Sequence, residues 1–388
     1  MPAARAFVAL GMALGALGLV VGLRGEIALA TRTASVLASV IPGHPPTPLD
    51  AAPVPHVRTV TYATSEGLPV VADLYVPSGV QESPAIILFV GVIEGGRRYA
   101  NLVTLADGFA RAGFTVLAPD SLAFEEYRVV PADVDALVAG FRFLAAQPAV
   151  NPRRIGFIGF CMGGALALVA ASDPRIADEV ALVATIGTFY SLDSMLDTLT
   201  TNVATTFGVA RPYTPHPFVW GVARNTLLAQ LTVAGDRQLL ANIFGGDGPT
   251  PDTAALAQDD LTALSPAGRA VFELFMNRDH ARSGRLLAEL RLRLPGALEA
   301  ISPERHVANL RAPVRLLHDR GDTYVPVGES ERLLGQLGGP PRATLTTLDI
   351  LRHAELTAPD LASNTLLQTY APGFFALVRF AADALRRL

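Results

Sequence analysis

The stretch RIGFIGFCMGGALAL, residues 154–168, constrains the fold of this chain more than any other. Its apolar run, Ile155 to Phe160, reads as a strand buried on both faces, and the residues after Cys161 read as a helix. Between them Gly159-Phe160-Cys161-Met162-Gly163 fits a Gly-x-nucleophile-x-Gly pattern at a strand-to-helix junction, the context a nucleophile elbow requires. Such a turn is so tight that side chains two positions either side of the nucleophile would meet neighbouring backbone, which favours glycine there. A thiol at the bend sits at the amino end of the next helix, where backbone N–H groups and the dipole favour thiolate. The same bend aims the Met162 N–H at the oxygen of a reacting carbonyl. The competing reading of Cys161 as a small core residue is weakened by Gly156, Gly159, Gly163 and Gly164 around the junction.

Composition removes several chemistries. All 31 basic residues are arginine, so a Schiff-base lysine, a Ser-Lys dyad and a P-loop lysine are excluded together. The single cysteine forms no internal disulfide. The seven histidines are scattered, with no HExxH and no CxxC pair, so neither a metal site nor a cofactor is expected. A net charge of −4 without a basic run gives no reason to expect a nucleic-acid partner.

Around the elbow the chain alternates strand-like and helix-like segments. VRTVTYA and LPVVADLYV, joined at Ser65 to Gly67, suggest a hairpin, and AIILFVG, FTVLAP, IGFIG and VALVATIG suit buried strands. A stripe of Val134, Leu137, Val138, Phe141 and Leu144 marks a helix between two of them. This order implies an α/β fold with a mainly parallel sheet covered on both faces. Residues 57–190 form its first part. Segment 191–303 breaks the alternation with helix-like stretches and no convincing strand, and reads as a helical cap inserted before the core is completed by residues 304–388.

The amino end differs from both. Residues 6–23 are 18 consecutive uncharged, mostly apolar residues, roughly 27 Å as a helix and close to a bilayer's hydrocarbon thickness. Residues 1–24 are thus expected to be a membrane anchor, or an export signal cleaved near Ala30. Residues 25–56, with six prolines in IPGHPPTPLDAAPVP, read as an extended linker.

A nucleophilic cysteine needs a base, and the base an orienting acid, both expected at the ends of later strands. After PVRLLH the chain offers Asp322, with Asp319 in reserve, and after ATLTTLDI it offers His353. The loop after AIILFV supplies a second oxyanion donor, the Val92 N–H or alternatively that of Gly95. Glu94 is a candidate for contact with the thiol or substrate. Tyr213 and Trp220, with Phe218, are candidates for the roof of an apolar acyl site, unless they only pack the cap's own core.

These motifs, GFCMGG, AGFTVLAPD, VNPRRIGFIG, GDTYVPV and RHAEL, give a chain that resembles the α/β-hydrolase superfamily and, within it, the dienelactone hydrolase family. The resemblance covers roughly residues 57–190 and 304–388 and implies Cys161 as nucleophile, His353 as base and Asp322 as its partner. Glu94 falls where that family has a loop glutamate near the thiol, although EGGRR departs from the usual loop. The box and triad order are also similar to polyhydroxyalkanoate synthases, which makes an acyltransferase the alternative. A third expectation is a membrane-tethered binding protein on a hydrolase fold without chemistry. Because thiolate is itself a good leaving group, cysteine favours activated esters, enol lactones or thioesters over alkyl esters. The expected partner is therefore a small, hydrophobic acyl substrate.

Overall fold

The computed structural model describes residues 24–41, 46–258, 261–296, 298–353, 355–356 and 366–388. Its strands are β1 (His56–Ala63), β2 (Pro69–Val76), β3 (Ser83–Phe89), β4 (Thr115–Pro119), β5 (Val150–Phe160), β6 (Leu182–Ile186), β7 (Val203–Thr206), β8 (Val209–Pro212), β9 (Val314–Asp319), β10 (Ala343–Leu348), β11 (Leu351–Arg352) and β12 (Glu355–Leu356). Eight of them form one sheet in the order β1-β2-β4-β3-β5-β6-β9-β10. The pairs β1/β2 and β2/β4 are antiparallel, and every later neighbour is parallel.

The near-continuous apolar runs are explained by burial on both faces. Ile86, Leu88, Val116, Leu182, Ala184 and Leu317 point into one core, shared with the helices Ala100–Arg111 and Ala371–Arg387. Their sequence neighbours Ile87, Phe89, Leu117, Val183 and Leu316 point into the other, shared with the helices Ala132–Ala145 and Met162–Ala171 and continuous with the insertion. This period of two keeps the inner strands β3, β4, β6 and β9 dry on both sides, while the edge strand β10 is half-buried.

Two expectations are corrected. Most of the first half of the expected linker, residues 25–39, lies in a helix, Arg24–Ser39, whose Val36 is buried in the core shared with the helices Ala100–Arg111 and Ala371–Arg387, beside Gly108. Beyond it the described proline-rich residues hold one short 3-10 turn, Pro48–Ala51. The insertion also contains a hairpin. The helix Leu192–Thr201 stops at Asn202, in left-handed conformation (φ 57°), and the β-branched run that follows pairs as β7 with β8. Phe207 and Gly208, at φ 50° and 72°, make the two-residue turn, and such turns demand two positive φ values. A side chain at Gly328 would collide with the Thr205 carbonyl, so glycine lets this hairpin lie directly on the helix Val327–Gln336.

The apolar segment 6–23 lies outside the described residues. Among the described residues no helix is long and apolar enough to cross a membrane.

Candidate active site

The strand ends converge at Cys161. It adopts φ 52° and ψ −124° between β5 and the helix Met162–Ala171, a region that costs a non-glycine residue about 1–3 kcal/mol. The surroundings fix it: its N–H donates to Ile186 O (2.8 Å), and its carbonyl accepts from Thr188 Oγ1 (3.0 Å) and Gly164 N (3.1 Å). A Cβ on Gly159 would stand 2.5 Å from Gly164 Cα, and one on Gly163 would stand 2.5 Å from Phe89 O. The glycines of the motif are therefore required by backbone contact. Gly91, at φ +75°, brings the exit of β3 against Gly163 N and Met162 Cβ. Buried Val92 follows directly, so the two expected oxyanion donors stand on adjoining backbone. Met162 opens its helix, and a first-turn N–H has no carbonyl partner within the helix.

Asp322 and His353 meet as well. Asp322 Oδ2 and His353 Nδ1 are 2.7 Å apart, and the thiol of Cys161 is the imidazole's other hydrogen-bond partner. Asp322 Oδ1 accepts from Tyr324 N (2.7 Å) and Val325 N (3.1 Å), and His318 Nε2 stands 3.4 Å from Oδ2. Burial alone would raise the Asp322 carboxyl, but the hydrogen bonds and charges of His318 and His353 hold it well below the usual carboxylate range. Burial likewise pulls His353 down, yet the Cys161 charge and the bonds to Asp322 and the thiol push it up to about 10.

His353 sits at φ 59° in the bend after β11. Asp319, the reserve acid, is turned away from it: its oxygens accept from Leu351 N and Gly321 N, both at 2.8 Å, so it ties the end of β9 to the strand that carries His353. Gly187, which the sequence reading passed over, lies behind the pair. At φ +60°, a Cβ there would stand 3.0 Å from His353 Cε1 and 3.1 Å from Asp322 Oδ2. Its only sequence signal is a glycine closing an apolar run.

The remaining candidates divide. Tyr213 packs towards the site: burial, with the nearby charges of Asp322, Cys161 and Glu329, pushes its hydroxyl above the usual range. That oxygen is buried with no hydrogen-bond partner among the described residues. Trp220 belongs elsewhere. It is 1% exposed, inside the insertion's own core, with ring centroids 4.8 Å from Phe275 and 6.5 Å from Phe244. Residues two apart on a helix point about 200° from each other, so on the helix Pro217–Leu228 Phe218 faces Tyr324 while Trp220 faces inward. Glu94 is exposed on its loop, and no described hydrogen bond joins it to Cys161. No group of side chains suited to a metal occurs among the described residues.

Comparison with known proteins adds the lineage. Residues 70–206 match the family model "Dienelactone hydrolase family". The fold is of the α/β-hydrolase kind. The chain is 35% identical over 115 residues to a probable 2-oxo-3-(5-oxofuran-2-ylidene)propanoate lactonase of a Bradyrhizobium species, covering 25% of this chain and 44% of that protein. It is 35% identical over 129 residues to an uncharacterized protein of Pseudomonas aeruginosa, covering 31% of this chain and 34% of that one. The matches thus span well under half of either curated relative. Among solved structures, 2,6-dihydroxy-pseudo-oxynicotine hydrolase superposes with a TM-score of 0.46 at 15% identity, covering 85% of this chain and 68% of that one.

Proposed function

We propose that this α/β-hydrolase cleaves activated carboxylic esters, lactones or thioesters through an acyl-cysteine intermediate. The observation that carries the reading is the chain of contacts from Asp322 through His353 to the thiol at the strained bend. Cys161 Sγ attacks the carbonyl carbon, and the carbonyl π electrons move to oxygen, where the Met162 and Val92 N–H groups receive the negative charge. When the tetrahedral intermediate collapses, the C–O or C–S bond to the leaving group breaks and His353 Nε2 supplies the proton that group needs. In the acyl-enzyme the sulfur carries no charge. The contribution that held His353 protonated is then lost, its pKa falls, and the neutral imidazole takes a proton from water as water attacks the thioester. Hydrolysis releases the acid and returns the thiolate-imidazolium pair.

Tyr213 supports a substrate with a hydrogen-bond acceptor besides the reacting carbonyl, since its buried hydroxyl is a donor without a partner among the described residues. The apolar segment 6–23 supports an enzyme held at a membrane or exported, a reading that alkaline extraction of membranes tests directly.

The deciding experiment is intact-mass detection of an acyl adduct across aryl esters, enol lactones and thioesters, with Cys161→Ala as control. The expected result is an adduct of acyl mass on the wild type, none on the variant, and a turnover loss of at least about 10³-fold. Full turnover in Cys161→Ala would end the proposal. Supplying an alcohol to the trapped adduct separates hydrolysis from the acyltransferase alternative.

A further inference from the structure

His353 carries a tyrosine on its face, and that tyrosine carries a second histidine. The Tyr324 ring stacks on His353 with centroids 4.5 Å apart and planes 15° from parallel. His216, from the insertion, stacks on Tyr324 at 4.2 Å and 11°. Two near-parallel rings at such distances cannot share one face, so Tyr324 is sandwiched between the two imidazoles. The insertion is held to this loop independently: His216 N–H donates to Thr323 O (2.7 Å), and the His216 Nε2 and Tyr324 hydroxyl are 3.3 Å apart. Phe218 leans on Tyr324 at 6.3 Å, and Tyr127 meets Phe218 edge-on at 6.2 Å. Four rings from three separate segments of the chain thus end on one imidazole.

We propose that Tyr324 and His216 are positioning residues that set the plane of the His353 ring, which makes the insertion part of the proton-transfer apparatus. The inference rests on the reading of His353 as the base. Its physical content is geometric. The bond from Nδ1 to Asp322 fixes one atom of the imidazole but leaves the ring able to rotate about that bond. The Nε2 lone pair lies well off the same axis, so rotation swings it away from Sγ. A face-on ring at 4.5 Å stops the rotation. Tyr324 cannot drift, because its N–H is bound to Asp322 Oδ1 at 2.7 Å and its far face is covered by His216. Gly187 closes the opposite edge of the pair at contact distance.

The test uses the full chain, p-nitrophenyl acetate as probe, and histidine ring NMR to follow His353. His216→Ala is expected to lower kcat about tenfold with KM nearly unchanged, the signature of misplacement rather than lost binding. His216→Phe keeps a stacking ring and should restore kcat. Both variants lose the bond by which His216 Nδ1 caps the next helix, so their difference isolates the ring. Tyr324→Leu should lower kcat at least as much and move the His353 titration down, since the charged ring loses an aromatic face, whereas Tyr324→Phe should keep both. Unchanged kcat in His216→Ala, a His216→Phe variant as slow as the alanine one, or a loss confined to KM would each overturn the proposal. The triad reading fails separately: full turnover in His353→Ala defeats it and this inference with it. Loss in His353→Ala beside an indifferent His216→Ala defeats this inference alone.

Discussion

The sheet core and the insertion solve the same packing problem by different means. In the core, each site residue stands where a strand ends and is held by backbone: Cys161 by Ile186 O, Asp322 by two N–H groups, and the His353 segment by Asp319. In the insertion, aromatic rings do the fixing, with Trp220, Phe244 and Phe275 interlocked in a small centre of their own. The core therefore sets Cys161, Asp322 and His353, while among the described residues the insertion approaches them through Tyr213 and, by way of Tyr324, the His216 ring.

That division is sharpest at Trp220. Replacing it by alanine empties the centre of the insertion and should cost about 3–5 kcal/mol of stability, read by denaturant unfolding. Active-site alkylation of Cys161 by iodoacetamide should continue at the wild-type rate in the fraction that remains folded. If alkylation falls in step with stability, the two regions are not separable and the comparison fails.

Gly187→Ala is the counterpart within the core. The new Cβ would stand 3.0 Å from the His353 ring and 3.1 Å from Asp322 Oδ2, at a φ of +60° that alanine resists. Displacing the pair by a few tenths of an ångström should cost about 100-fold in kcat/KM, measured with an activated aryl ester. Folding should suffer by only about 1–2 kcal/mol, the scale of a strained backbone position. A larger loss of stability than of activity would assign Gly187 to the fold alone.

The pH response comes next in size. His353 is raised from 6.5 to about 10, so its positive charge persists through neutrality. The His353 proton that the leaving group needs is lost as pH rises through about 10, and kcat/KM should fall roughly tenfold per unit beyond it. For stability the sign is the same: a raised histidine contributes fully below its unfolded value of 6.5 and loses that contribution as pH climbs to about 10. Cys161→Ala removes one cause that raises His353, and the His353 midpoint followed by NMR should move down. A midpoint that stays in place would mean that Asp322 alone sustains the charge.

These residues also show what was legible in the sequence. The elbow was, because close backbone contact restricts Gly159 and Gly163 to one residue type and leaves a fixed spacing. Asp322 and His353 could be located because strand ends converge in a parallel sheet, so position in the chain translates into position in space. The insertion lacked any such rule. Its hairpin was hidden behind Asn202, where a helical pattern runs on into NVATTF although the backbone has already turned left-handed. Trp220 could not be told from Phe218 as a roof residue, because only the helix Pro217–Leu228 turns the two to opposite sides. The stack on His353 had no sequence signal, since His216 and Tyr324 are 108 residues apart.

The smallest expected effect is the most specific to the insertion. Tyr213→Phe removes one oxygen from a buried ring whose hydroxyl has no hydrogen-bond partner among the described residues, so the free protein should lose no stability and should gain slightly from the absent desolvated group. A substrate whose second acceptor uses that hydroxyl should bind less well, with KM rising about three- to tenfold, the worth of one hydrogen bond. A plain aryl acetate, which has no second acceptor, should be indifferent to the change. Equal effects on both substrates would place Tyr213 among the groups that shape the triad. A selective effect would make the insertion, through this one oxygen, the part of the molecule that distinguishes acyl groups.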